Sequence, residues 1–382
     1  MAAARDRVAV SIITGFLGAG KSTLLNRVLK DPAMKSAAII INEFGEVGID
    51  HLLVAASDDS IVELSDGCLC CTVRGALVDT LAMMADGMQT GKIRKLSRVV
   101  IETTGLADPA PVMQSVMGHP VISENFELEG VVTVVDAING LSTIDRYTEA
   151  LKQVAVADRL VLSKLGMAEP AAVEALRARL RALNPTAELI DADGEGAGSV
   201  ALFENGLYDP ETKTADVGRW LKDEIDHDDH DHHDHDHDHH HDHGHGHHAH
   251  QHDINRHGDT IRSYSIVHDR PIEPQALDMF VDLLRSAHGE KLLRMKAIVA
   301  LSDNPDRPLV LHGVQSVFHR PERLPEWPDP ADRRTRLVLI TDGLEEDYVR
   351  DLFDAFAGKP VVDRPDRAAL EDNPLAVAGF KF

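Results

Sequence analysis

Only three cysteines occur in this chain of 382 residues, and all lie in the stretch Gly67-Cys68-Leu69-Cys70-Cys71. Thiolates are soft ligands that select zinc, copper(I) and related ions. Free cysteine can also serve as a small buried hydrophobe, but its confinement to this one stretch favours metal. Three thiolates fall short of the four ligands of a closed structural zinc site. An open fourth position suits an ion that must leave, and Glu43, Glu46 or water could fill it.

About 50 residues upstream, Gly15-Phe16-Leu17-Gly18-Ala19-Gly20-Lys21-Ser22 reads as a phosphate-binding loop, because it follows an apolar strand and opens a helix. Gly15, Gly18 and Gly20 let backbone N–H groups approach phosphate oxygens, and the helix N-terminus adds partial positive charge. Ala19 and Thr23 complete the nucleotide-contacting set. Lys21 is expected to reach the β- and γ-phosphates, and the Ser22 hydroxyl to ligate Mg²⁺. Val99-Val100-Ile101-Glu102 ends a buried strand with a carboxylate, where phosphate-loop enzymes hold Mg²⁺, often through water. The backbone N–H of Gly105 could sense the γ-phosphate. Lys21, Glu102 and Gly105 are therefore the catalytic candidates, while Asp108 and Asp136 read as caps or turn residues.

A late apolar run ends in Ser163-Lys164-Leu165-Gly166. Guanine-binding proteins of the phosphate-loop fold carry Asn/Thr-Lys-x-Asp there, and the acid accepts two hydrogen bonds from the base. Ser163 and Lys164 fit that pattern as nucleotide-binding residues. Gly166 has no side chain to accept those bonds, so weak discrimination of guanine from adenine is expected; Glu169 could substitute.

These residues need a scaffold, and the first 200 residues alternate strand and helix signals. Strands are expected at 8–13, 37–41, 60–64, 98–101, 130–136 and 159–162, with helices at 22–30, 72–87 and 169–183. Near-continuous apolar strands alternating with helices predict a parallel sheet covered on both faces. Residues 226–253 are almost only His, Asp and Gly, holding 15 of the 22 histidines. Without large apolar residues such a tract cannot offset its ordering entropy, so it reads as a disordered linker. It reads equally as a metal-binding tract, since imidazole is a common ligand. Strands at 260–267, 296–301, 309–317 and 336–340, with helices at 274–286 and 345–357, predict a small α+β C-terminal domain. The expected division is 1–205 for the nucleotide domain, 206–258 for the linker, 259–358 for the C-terminal domain and 359–382 for a tail.

The composition, 43% hydrophobic and 27% charged, is that of a globular protein. A net charge of −24 argues against nucleic acid as a partner. The His/Asp tract holds nine aspartates and no Lys, Arg or Glu, which leaves −15 on the rest and favours cations. No apolar run is long enough to span a membrane. The N-terminus lacks the pattern of a signal peptide, and clustered thiols suit a reducing compartment, so a cytoplasmic location is expected.

Together these motifs resemble the CobW-type family, a metal-chaperone branch of the phosphate-loop GTPases. The matching segments are 15–25 (GFLGAGKSTLL), 42–50 (NEFGEVGID), 67–73 (GCLCCTV) and 102–109 (ETTGLADP), with a His-rich insert before a small C-terminal domain. The resemblance implies GTP hydrolysis with Mg²⁺ and zinc or cobalt held by Cys68, Cys70 and Cys71. It also implies delivery of that metal to a client metalloprotein or cofactor pathway, and residues 42–50 correspond to its nucleotide-sensing loop. A homodimer is possible. Two other readings stay open: a His-rich metal buffer with a vestigial nucleotide domain, and an ATP-using enzyme with a structural metal.

Overall fold

The computed structural model describes residues 7–42, 61–64, 69–194, 196–204 and 260–358; of residues 42, 61–64, 69–74 and 76 it describes the backbone. The N-terminal part is an α/β layer built on a 7-stranded sheet. Its strands are β1 (Val8–Thr14), β2 (Ala37–Asn42), β3 (Ile61–Leu64), β4 (Arg98–Glu102), β5 (Phe126–Asp136), β6 (Arg159–Ser163) and β7 (Glu188–Asp191). They lie in the order β3-β2-β4-β1-β5-β6-β7, and every pairing is parallel. Both faces are covered, which is why the strands read as unbroken apolar runs. On one face Val10, Ile12, Ile40 and Ile101 pack on α2 (Leu69–Gln89) and α3 (Ala110–Gly118). On the other, Ile13, Ile39, Val100 and Val132 pack on α1 (Lys21–Val28) through Leu24, Leu25 and Val28.

Helices α4 (Pro120–Asn125), α5 (Gly140–Arg146), α6 (Thr148–Ala155) and α7 (Pro170–Leu183) complete this part. Pro120 and Pro170 stand at first helical positions, where a missing N–H costs nothing. Helices α3 to α6 have no counterpart in the sequence reading. They are 6 to 9 residues long, so none carries a long 3.6-residue period.

The C-terminal part is a 6-stranded antiparallel sheet of β8 (Ile261–His268), β9 (Leu292–Val299), β10 (Leu309–Val314), β11 (Val317–Phe318), β12 (Glu322–Arg323) and β13 (Thr335–Asp342). Helices α8 (Pro274–His288) and α9 (Glu346–Phe356) cover one face. Leu277, Phe280 and Leu284 recur at helical spacing on α8, and the Phe280 and Phe353 rings meet edge-on at 5.3 Å. Two strand expectations need correction. The strand expected at 296–301 runs instead from Leu292 to Val299, because the buried charge of Arg294 disguises its start. The strand expected at 309–317 breaks after Val314, where Gln315 takes φ 54° and turns the chain into β11. Among the described residues no helix is long and apolar enough to cross a membrane.

The two sheets meet over one buried ion cluster. Arg294 and Lys296, on the face of β9 away from α8, reach Asp158 Oδ1 at 2.6 and 3.0 Å, with all three side chains 4% exposed. Asp158 Oδ2 accepts a hydrogen bond from the Val131 N–H at 2.9 Å. Around the cluster Ile261, Leu293 and Ile340 join the apolar core of α6 and α7, and Val314 joins that of α3. Burial by itself would raise the Asp158 pKa, but the Arg294 and Lys296 cations outweigh it and hold the carboxyl below its ordinary value. A depressed pKa contributes stability above the unfolded value, near 3.9, that is lost as pH falls. Asp158→Asn should therefore cost about 3–5 kcal/mol near neutrality, since it strands two buried cations. The deficit should shrink below about pH 4. Urea unfolding of both proteins at neutral and acid pH checks this, and equal stability at neutral pH would refute it.

Candidate nucleotide site

The chemistry-bearing residues lie along the C-terminal edge of the parallel sheet, where open α/β sheets bind ligands. Strand β1 runs into Gly15, whose φ of 139° belongs to glycine. A Cβ there would sit 2.3 Å from the Val134 carbonyl oxygen, so a bare backbone is what lets the loop press against β5. Gly18 and Gly20 also have positive φ, 71° and 100°, and a Cβ on Gly18 would meet nothing within 4 Å, which leaves the cradle open. Lys21 is 9% exposed, and its ammonium folds back over the loop to donate to Gly15 O at 2.9 Å and Phe16 O at 3.4 Å. The Ser22 hydroxyl donates to Glu102 Oε1 at 3.0 Å, joining the start of α1 to the end of β4. Glu102 is 4% exposed. A hydroxyl and a carboxylate side by side at a phosphate loop form the hard oxygen set that suits Mg²⁺.

Ser163 and Lys164 close the other side of the loop. The Ser163 hydroxyl donates to Ala19 O at 2.6 Å. The Lys164 ammonium donates to Gly18 O at 2.8 Å and to Asp136 Oδ2 at 2.7 Å. Asp136 also accepts from the Ile138 N–H at 2.8 Å, which makes it the turn residue its sequence context suggests. Burial would raise its pKa, but the bonds from Lys164, Ile138 and Asn139 hold the carboxyl below the usual range.

The segment after Glu102 packs directly on the phosphate loop. Thr103 donates from its N–H to Ile13 O at 3.0 Å and from its hydroxyl to Thr14 at 2.7 Å. A Cβ on Gly105 would lie 2.5 Å from the Leu17 nitrogen, so the two loops touch through backbone. From beneath, the Gln153 amide donates to Gly105 O and Ala107 O, each at 3.1 Å. Lys152 reaches Asp108 Oδ2 at 3.1 Å, while Asp108 Oδ1 accepts from the Ala110 N–H at 2.9 Å. Sequence reasoning missed Gln153 and Lys152. The available signal was a glutamine set among Ala150, Leu151 and Val154 on the buried face of α6.

Among the named residues the structure brings Gly15, Gly18, Ala19, Gly20, Lys21, Ser22, Glu102, Gly105, Ser163 and Lys164 into one cradle; Thr23 follows in α1. Cys68, Glu43 and Glu46 lie outside the described residues, as do most of the 42–50 loop and the whole His/Asp tract. Cys70 and Cys71 are in the first turn of α2, so the helix expected from residue 72 starts at Leu69 and takes in two of the three cysteines. Among the described residues no group of three or more His, Cys, Asp or Glu is arranged to hold a metal. A cavity of about 360 Å³ lies behind the phosphate loop, lined by Phe16, Leu17, Asp136, Asn139, Arg146 and Gln153 among others.

Comparison with known proteins agrees with this geometry. Residues 9–191 match the CobW/HypB/UreG nucleotide-binding domain, and residues 261–357 match the cobalamin synthesis protein cobW C-terminal domain. The zinc chaperone YjiA of Escherichia coli is 31% identical over 352 residues, 92% of this chain and 98% of that protein. The zinc-regulated GTPase metalloprotein activator 1 of Saccharomyces cerevisiae is 31% identical over 209 residues, 48% of each chain. A crystal structure of Zn(II)-bound YjiA GTPase from E. coli shares the fold at a TM-score of 0.61, with 24% identity, covering 92% of this chain and 99% of that one. A phosphate loop at the end of β1, an acid at the end of β4 and a separate antiparallel C-terminal sheet thus carry matches to two family domains in the expected order, and the chain belongs to the CobW/HypB/UreG family.

Proposed function

We propose that this chain is a GTP-hydrolysing metallochaperone whose nucleotide state sets its hold on a transition metal, zinc in the first instance, for delivery to a client metalloprotein. The observation that carries the reading is the common sheet edge. The loop of Lys21 and Ser22 follows β1, Glu102 ends β4, and the helix whose first turn holds Cys70 and Cys71 comes after β3, all strands of one parallel sheet. Strands β3 and β4 have only β2 between them, so at about 4.8 Å per strand their ends are roughly 10 Å apart. The names of the relatives, a zinc chaperone and a zinc-regulated GTPase metalloprotein activator, support the cargo and the nucleotide.

In this reading Ser22 and Glu102 would hold Mg²⁺, which would supply positive charge to offset the negative charge of the phosphates. Lys21 exchanges the Gly15 and Phe16 carbonyls for phosphate. Gly105 faces the γ-phosphate while Gln153 keeps its loop in place. Cys68, Cys70 and Cys71 hold the cargo ion with Glu46 or water as the fourth ligand, and the N-terminus of α2 favours the negative charge of thiolates there. Residues 206–258 join the two parts, a second copy of the chain is a candidate partner, and a reducing cytoplasm suits the free thiols.

Linkage demands reciprocity: if triphosphate tightens metal, metal tightens triphosphate by the same factor. Zinc affinity should be about 10-fold or more higher with a non-hydrolysable GTP analogue than with GDP, a coupling of ordinary size. Competition titration against a chromophoric chelator measures it, and equal affinities would discard the coupling. Replacing Cys68, Cys70 and Cys71 by serine should abolish the tight site and leave GDP binding intact. Loss of the nucleotide effect on deleting residues 226–253 would instead assign metal handling to the histidines. Gly105→Ala should separate binding from turnover. The added methyl collides with Leu17, so hydrolysis should fall about 100-fold or more, as when one transition-state donor is misplaced. GDP binding should weaken by a smaller factor, since Leu17 belongs to the phosphate loop itself; an unchanged hydrolysis rate would remove Gly105 from the mechanism.

A further inference from the structure

Resting on the phosphate site proposed above, we infer that the site does not select its base: ATP and ITP should bind and turn over much as GTP does. The observation is what stands at the end of β6. Ser163 and Lys164 grip the loop through Ala19 O and Gly18 O, which holds the residues that follow β6 beside the phosphate loop. Lys164 takes φ 58°, and residues Leu165–Met167 make one tight turn, with Met167 N–H donating to Lys164 O at 3.0 Å. Gly166 sits in that turn. It is exposed, and a Cβ built on it would meet nothing within 4 Å.

Guanine differs from adenine along one edge. It offers N1–H and the 2-amino group as donors, where adenine offers an N1 acceptor and no 2-amino group. A carboxylate at this place would accept both donors and repel the adenine lone pair. Gly166 can do neither. Nearby acids are engaged elsewhere: Asp136 with Lys164, Asp191 with Arg177, and Asp193 with Arg27 at 3.7 Å. Glu169 stands at the start of α7 and is the one neighbouring acid of the turn for which the described residues show no such pairing. Discrimination follows from groups built to bond the base, because a mismatched ligand then leaves them unpaired. Without such a group, affinity rests on the phosphates, which every nucleoside triphosphate shares.

The open space at Gly166 allows a test by restoration as well as by loss. Binding of GTP, ITP and ATP is measured by competition against a fluorescent nucleotide, in Mg²⁺ and without transition metal, so that cargo plays no part. The expected result is affinities within about tenfold of one another, and hydrolysis of all three. Gly166→Asp should raise the preference for GTP over ATP to about 100-fold, as two charge-assisted bonds are gained, and that over ITP to about tenfold, since ITP keeps the N1–H donor and lacks only the 2-amino group. The site has room for the side chain, and a thermal melt of the variant reports folding. A wild-type preference for GTP beyond about tenfold overturns the inference, and loss of that preference in Glu169→Gln would place the missing acceptor on Glu169. Failure of all three nucleotides to bind would refute the phosphate site itself, whereas selective binding refutes only the reading of the base. The measurement on the wild-type chain decides the matter even if the aspartate variant does not fold.

Discussion

One buried carboxylate, Asp158, ties the two halves of this protein together. It stands between Arg294 and Lys296 and accepts a third bond from the Val131 backbone. Taking such charges out of water is expensive, and the two close ion pairs with the backbone bond to Asp158 offset that cost. The consequence is geometric. Asp158 is the residue before β6, and the far end of that strand is Ser163, which with Lys164 grips the phosphate loop. A strand of five residues spans about 17 Å. The C-terminal sheet and the nucleotide cradle therefore bear on opposite ends of one short strand.

The cradle itself is a matter of backbone more than of side chains. Gly15 lies where a methyl group would strike the Val134 carbonyl, and Gly105 lies where one would strike Leu17. These contacts bring the phosphate loop against strand β5 on one side and against the segment of Gly105 on the other. Lys21 meanwhile satisfies its ammonium on the loop's own carbonyls. Such bonds hold the loop open in shape without a ligand and are given up when phosphate offers a stronger, charge-assisted partner. Gln153 and the Lys152–Asp108 pair anchor the segment after Glu102 from α6.

Local patterns made much of this readable. The run from β1 through the glycine loop into α1 is contiguous, so its motif and its geometry coincide, and Glu102 announced itself as an acid closing an apolar strand. The misses have physical causes. Strand β9 carries Arg294 and Lys296 on a face buried against the other half, and charges usually mark solvent. Helices α3 to α6 are short segments set by packing against the sheet, not by propensity. Gln153 matters only because α6 lies beneath the loop of Gly105, a neighbour 48 residues away in the chain.

By itself the sequence determined the chemistry on offer: a glycine loop for phosphate, an acid for a hard cation, three thiols for a soft one and a glycine where a guanine reader would stand. Such features depend on residue type and close spacing, which a chain carries with it unfolded. Tertiary structure alone decided which of them meet. Parallel pairing of β1 with β4 sets Ile13 beside Glu102 and so brings Ser22 to its carboxylate, across 80 residues of chain. The same packing chose Asp158 as the partner of two cations more than 130 residues away, because only the folded arrangement of the two sheets excludes the water that would otherwise satisfy all three.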